Sequence, residues 1–201
     1  MKKQLILSAI AAVALGAPAA SMAEFLDFNY KVDRFADIEV LRYKVPDFEQ
    51  LTIQQKELVY YLTEAALYGR DILTDQNGKY NLAIRTTLEN IYKNYDGSKD
   101  DADYKGFVLY LKQVWFANGI HHHYSTDKFT PQFSQAFFET QVKKLSKKQL
   151  PLKKGQTVDA FLKEITPVIF DPTVMAKRVN QANGQDLILT SANNYYEGVT
   201  Q

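Results

Sequence analysis

From Thr52 to Ile165 apolar residues recur three and four positions apart, segment after segment, with turn-forming residues between the segments. That period marks one side of an α-helix and not the two-residue alternation of a half-buried strand. The sequence therefore predicts a mainly α fold with several helices and short extended segments. The first segment predicts one helix over 52–75. Leu58, Leu62, Ala65, Ala66, Ile72 and Leu73 fall on a common stripe, expected to face a core, with Lys56, Glu57, Thr63, Glu64 and Arg70 elsewhere. Thr52 followed by Gln55 is a capping-box pattern. Gly69 inside the segment costs about 1 kcal/mol against Ala, which suggests close packing there.

Gln76-Asn77-Gly78 predicts a turn, and Leu82, Ile84, Leu88, Ile91, Tyr92 and Tyr95 predict a second helix over 82–95. Asp100, Asp101 and Asp103 precede a third, running to about 117, where negative charge suits the helix dipole. Its breadth of apolar residues (Phe107, Val108, Tyr110, Leu111, Val114, Trp115, Phe116) predicts a central place in the core. Asn118-Gly119 is a stop signal. Thr130-Pro131 predicts the start of a fourth helix, Thr157 a fifth through Ile165, and Asp171-Pro172 a further one. Residues 24–48 predict an irregular segment or a short strand, since Pro46 breaks any helix there.

Lys2 and Lys3, the uncharged run Leu5 to Gly16 and the small residues ending at Ala23 make a secretory signal peptide over 1–23, cut before Glu24. The apolar run is too short for a membrane span, which takes about 20 residues. In a bacterium such a signal leads to the periplasm or outside the cell. Removing Lys2 and Lys3 takes the basic count from 24 to 22 against 23 acidic residues, so residues 24–201 carry a net charge of −1. That balance provides no basic footprint for nucleic acid. The chain has no cysteine, which excludes disulfides, thiolate zinc sites and a thiol nucleophile.

All three histidines are adjacent: His121, His122 and His123. Zinc-binding histidines on a helix stand four apart. On an extended segment His121 and His123 would share one side and leave His122 on the other, with no local third ligand. Histidines packed under a loop, and a polar aromatic wall of a binding cleft completed by Tyr124, both remain open. Asp75 and Asn77 fail as a calcium loop, because the first and twelfth positions would be Leu73 and Ile84. Glu64 and Asp71, seven apart on one helix side, read as solvated charge before they read as an acid and base. No phosphate-binding glycine loop or Gly-x-Ser-x-Gly elbow is present.

Two stretches resemble dipeptidyl peptidase III, a zinc-dependent family that removes dipeptides from peptide N-termini. The first is Leu51-Thr-Ile-Gln-Gln-Lys-Glu-Leu-Val-Tyr-Tyr-Leu-Thr-Glu-Ala-Ala-Leu-Tyr-Gly-Arg70, continuing to Tyr80. The second is Asn118-Gly-Ile-His-His-His-Tyr-Ser-Thr-Asp-Lys-Phe-Thr-Pro131, similar to the bacterial branch. The resemblance implies the multi-helix N-terminal portion of a two-lobed peptidase over 24–201, with an oligopeptide as substrate. It implies that Asn118, Gly119, His123 and Tyr124 help to form the pocket for the N-terminal dipeptide, with Tyr124 matching the family's aromatic and His123 replacing a small polar residue.

The family's zinc motif, His-Glu-x-x-Gly-His, has no counterpart here, since His123 is the last histidine. The resemblance thus implies no catalytic residue, metal ligand or zinc in this chain. Zinc belongs to the full-length family, and a missing C-terminal catalytic portion is the implied partner. Apolar surface that this portion would cover is expected to be exposed. Against this stand two other readings, an exported non-catalytic module that binds peptide or protein through an aromatic and histidine surface, and a bare helical structural domain.

Overall fold

The computed structural model describes residues 28–201, so the proposed signal peptide lies outside the described residues. The fold is mainly α, and the chain divides into two compact units at Thr52/Ile53. In the first unit, strands β1 (Lys31–Phe35) and β2 (Ile38–Leu41) pair antiparallel, where the sequence offered only irregular chain or a short strand. Ala36 turns the hairpin in a left-handed conformation, and Lys31 pairs with Glu39 across it at 2.9 Å.

The second unit is built from helices. The predicted single helix over 52–75 is two: α1 (Ile53–Tyr68) and α2 (Arg70–Gln76), divided at Gly69. They are followed by α3 (Asn81–Asn94), α4 (Ala102–Ala117), α5 (Gln135–Lys144), α6 (Val158–Phe170) and the single turn α7 (Leu187–Thr190). The core joins Ile84, Leu88 and Ile91 of α3 to Phe107, Tyr110, Leu111 and Val114 of α4, Phe138 and Val142 of α5, and Phe161, Ile165 and Ile169 of α6. α4 is central, as its broad apolar surface predicts.

The caps explain most helix ends. Asp101 accepts from the Tyr104 amide and starts α4. At its other end Asn118 takes the left-handed conformation that a helix stop requires. Thr157 accepts from the Ala160 amide and starts α6. α6 passes through Pro167 to Phe170 and so outruns the expected end at Ile165.

Two predicted starts fail. α5 begins after Ser134, not at Thr130-Pro131. Asp103 accepts from both the amide and the hydroxyl of Ser134, at 2.7 and 2.8 Å, and pins that residue as the cap. The intervening loop lies so close to α4 that a β-carbon on Gly106 would fall 1.9 Å from the Gln132 carbonyl oxygen. Asp171-Pro172 opens a turn rather than a helix. The carbonyls of Asp171 and Val174 are taken by the Lys128 ammonium instead of continuing a helical ladder.

The largest correction concerns α1. Its expected core stripe is not buried; no residue of the helix is. Leu58, Leu62, Ile72 and Leu73 are each more than half exposed. α2 is anchored better. Arg85 of α3 is buried, donates to Thr74 at 2.7 Å, and pairs with Asp71. Its neighbour Glu89 accepts from the Trp115 indole at 2.9 Å, linking α3 to α4.

Candidate functional site

The second resembling stretch forms a tight hairpin, and the structure brings distant chain to its back. After the Asn118 cap, Gly119 adopts φ +152°, a region that favours glycine. A β-carbon there would lie 2.3 Å from the Asn81 side-chain nitrogen. The buried Asn81 also accepts from the Ile120 amide. Residues 120–122 then pair with 127–129: the Phe129 amide donates to Ile120 at 2.9 Å and the His122 amide to Asp127 at 2.7 Å.

The other edge of 127–129 pairs with 176–178, through Lys128 to Ala176 and Arg178 to Thr126. Segment 192–193 continues the array, its amides donating to Lys177 and Arg178. Four short extended segments from three parts of the chain thus lie side by side. This satisfies backbone groups that a buried loop would otherwise orphan. Asn194 then donates to Gln76, the last residue of α2, at 2.8 Å.

The three histidines have three different environments. His121 is buried, and its Nε2 lies 2.7 Å from the Met175 carbonyl, which can only accept, so Nε2 carries the proton. Its buried Nδ1 has no hydrogen-bond partner. Burial pushes its pKa down to about 4, with the charges of Lys128 and Arg178 adding to the effect and the Met175 hydrogen bond opposing it. His121 is therefore neutral near pH 7.

His122 Nδ1 accepts from the amides of Tyr124 and Ser125, at 3.2 and 3.1 Å. The His123 ring stands 4.4 Å from the His122 ring and 4.3 Å from that of Tyr124, and edge-on to Phe116 at 5.0 Å. Tyr124 is 84 % exposed. The expected alternation, with His121 and His123 on one side, does not hold. The chain is extended only through His122 and turns over 123–125, which brings the rings of His122, His123 and Tyr124 together.

Three side chains brace this turn. Arg178 donates to the His123 carbonyl at 3.3 Å and to Asn77 Oδ1 at 3.3 Å. Asn77 in turn donates to the Asn118 carbonyl at 3.1 Å. Lys128 reaches through to the end of α6, where its ammonium donates to the carbonyls of Val168, Asp171 and Val174. Val168 is one of the carbonyls that the end of α6 leaves unpaired, and Asp171 and Val174 follow in the turn beyond it. Burial lowers the Lys128 pKa, with Asp171 opposing. Thr126 takes a left-handed φ of +62°, an outlier for a β-branched residue. Its hydroxyl donates to Val179, and its carbonyl accepts from Arg178. On the far side of 127–129 lies a cavity of about 340 Å³, lined by Phe129, Pro131, Ile169, Phe170, Pro172 and Ala176 among others.

Of the four candidate residues, Tyr124 is exposed and His123 beside it is half-buried. Gly119 is buried against Asn81, and Asn118 serves as a cap, so these two shape the hairpin from behind. Asn81, Lys128 and Arg178 were not singled out by the sequence, and Asn77 was read only as a turn residue and a rejected calcium-loop position, although Lys128 and Phe129 stand within the resembling stretch. Only contact across as many as 101 residues, as between Asn77 and Arg178, reveals them.

Two of the histidine nitrogens that a zinc ion could use are engaged elsewhere. His121 spends its Nε2 on a carbonyl, and His122 Nδ1 is occupied by two amides. Among the described residues no group of three His, Cys, Asp or Glu is placed to hold a metal. Chemically the site offers stacking faces together with imidazole donors and acceptors. No protein-family model matches the chain, and no curated protein matches it.

Proposed function

We propose that this chain is the substrate-cleft part of an exported zinc-dependent dipeptidyl peptidase, with the catalytic residues supplied from outside residues 1–201. One observation carries the reading. A ring cluster of His122, His123 and Tyr124 caps a hairpin braced from behind by Arg178, Asn77 and Lys128. Rigid aromatic and imidazole groups backed by polar anchors suit recognition of a short peptide, because little ordering entropy remains for binding to cost. The resemblance of residues 118–131 to the family's dipeptide pocket assigns the ligand. On this reading the chain binds oligopeptide and hydrolyses none of it alone. Nucleic acid and a membrane span have no part in it; no helix among the described residues is long and apolar enough to cross a membrane.

A non-catalytic exported peptide-binding module is the second reading, favoured by the same ring cluster and by histidines engaged in hydrogen bonds rather than held ready for metal. The deciding experiment sequences the locus past the codon for Gln201 and assays the purified 201-residue chain with a dipeptidyl-naphthylamide. A downstream His-Glu-x-x-Gly-His, peptide binding, and no turnover without it support the peptidase part. Peptide binding with no such motif in the locus supports the module. Chelator-sensitive turnover by the chain alone overturns its assignment as a non-catalytic part.

A further inference from the structure

A cavity of about 560 Å³ lies between α5 and α6, a volume within the range of small-molecule sites. Lys143, near the end of α5, stands 3.9 Å from Asp159, near the start of α6. Gln135 and Phe170 line the same cavity from the other ends of the two helices, so the helices run antiparallel along it. Glu139 and Lys163 line it from opposite walls, each one helical turn in from that ion pair.

These two charges are not joined. Glu139 is half-buried and accepts one hydrogen bond, from the Gln135 amide group at 2.7 Å. Among the described residues it pairs with no cation, and the exposed Lys163 pairs with no carboxylate. Leu162, Pro167 and Phe170 supply apolar wall beside them. Thr166 lies in the same wall, buried, and its hydroxyl has no hydrogen-bond partner. The two other buried threonines, Thr74 and Thr87, donate to the carbonyl four residues earlier. A buried hydroxyl left unpaired is uncommon in a folded chain and marks this wall as shaped by more than its own hydrogen bonds.

The lining narrows the ligand. Glu139, Asp159 and Asp171 stand against Lys143 and Lys163, a balance that repels a simple anion. Among the described residues no three acidic or histidine groups are placed to hold a metal, which leaves out a bare metal ion. A molecule that carries both charges uses both unjoined side chains. Its ammonium donates to Glu139, and Lys163 donates to its carboxylate. Such charge-assisted hydrogen bonds are the stronger kind. Its apolar part lies on Leu162 and Phe170, where burial adds to affinity.

We propose that the groove between α5 and α6 binds a small apolar zwitterion of amino-acid type, either free or as a short peptide with both termini free. Glu139 holds the ammonium and Lys163 the carboxylate. The site shares no residue with the ring cluster and does not rest on the peptidase reading.

The test titrates the isotope-labelled full chain with leucine and with the dipeptide leucyl-leucine and follows the amide resonances. Both are expected to shift amides of 135–143 and 159–171, and the tighter of the two names the source. N-acetyl-leucine and leucinamide each lack one charge and are expected to bind at least about tenfold more weakly than leucine. Glu139→Gln is expected to weaken leucine to the level of N-acetyl-leucine and to leave N-acetyl-leucine unchanged. Lys163→Met is expected to do the same with leucinamide. This matching of variant to ligand closes a thermodynamic cycle, which a merely structural role would not reproduce. Since neither charge is paired in the free chain, both variants are expected to keep the wild-type thermal midpoint. Tyr124→Ala is expected to leave leucine binding unchanged.

No shift in α5 or α6 with either compound overturns the site. Analogues that lack one charge and bind as well as leucine overturn the assignment of a zwitterion. Shifts confined to 122–125 and lost in Tyr124→Ala place the compounds at the ring cluster, which overturns this site and leaves the proposed function standing.

Discussion

Arg178 donates to the carbonyl of His123, 55 residues earlier in the chain, and so braces the turn that carries the ring cluster. Its other nitrogen holds Asn77, which holds Asn118. Replacing Arg178 by Ala removes both links, each worth about 1 kcal/mol. The Tyr124, Ser125 and Thr126 amides are then expected to exchange faster in hydrogen-exchange measurements. Lys at 178 is expected to restore little, since an ammonium lacks the planar fork that reaches two acceptors.

His121 makes stability depend on pH. Its folded pKa of about 4 lies below the ordinary histidine value, so the folded state disfavours the charged ring. Its contribution is complete above about pH 6.5 and is lost as pH falls from there towards 4, where the unfolded chain binds the extra proton. The loss is on the order of a few kcal/mol. His121→Gln keeps a donor for the Met175 carbonyl and removes the titration. Urea midpoints of the two proteins between pH 7 and 4.5 are expected to fall more steeply for the wild type.

Gly106 and Gly119 are close-approach sites, where added β-carbons meet the Gln132 carbonyl and the Asn81 side chain at 1.9 and 2.3 Å. Ala at either is expected to cost about 1–3 kcal/mol by overpacking. Nothing stands within 4 Å of a β-carbon on Gly155, whose φ is +78°. Gly155→Ala thus isolates the cost of conformation from that of collision. Thermal unfolding of the three variants is expected to rank Gly155→Ala as the mildest.

Tyr124 is exposed, with its ring beside those of His122 and His123, so Tyr124→Ala is expected to change stability by no more than about 0.5 kcal/mol. The proposed function predicts that the same change weakens binding of a fluorescent tetrapeptide with a free N-terminus. Unchanged peptide affinity by fluorescence anisotropy would remove Tyr124 from the site.

The helices of the core were legible because their period and caps are local. Asp101, Asn118 and Thr157 act within a few residues of themselves. Thr130-Pro131 misled because Asp103, on another helix, fixes the cap at Ser134. Asp171-Pro172 misled because Lys128 takes the carbonyls a helix would need. The α1 stripe showed its apolar character in the sequence, but periodicity says nothing about what covers a stripe. For the site, the histidine run and Tyr124 announced the rings. The bracing residues have no local signature, since each acts on a partner tens of residues away.

The side-by-side segments also impose an order on the ribosome. The contacts of α3 with α4 and of α5 with α6 are between helices near in sequence, and such local contacts form early. The array behind the rings needs residues 192–194 to meet 177–178 and Gln76. During synthesis the helical core can therefore assemble while the turn that carries the rings waits, unfinished, for residues 192–194 to emerge.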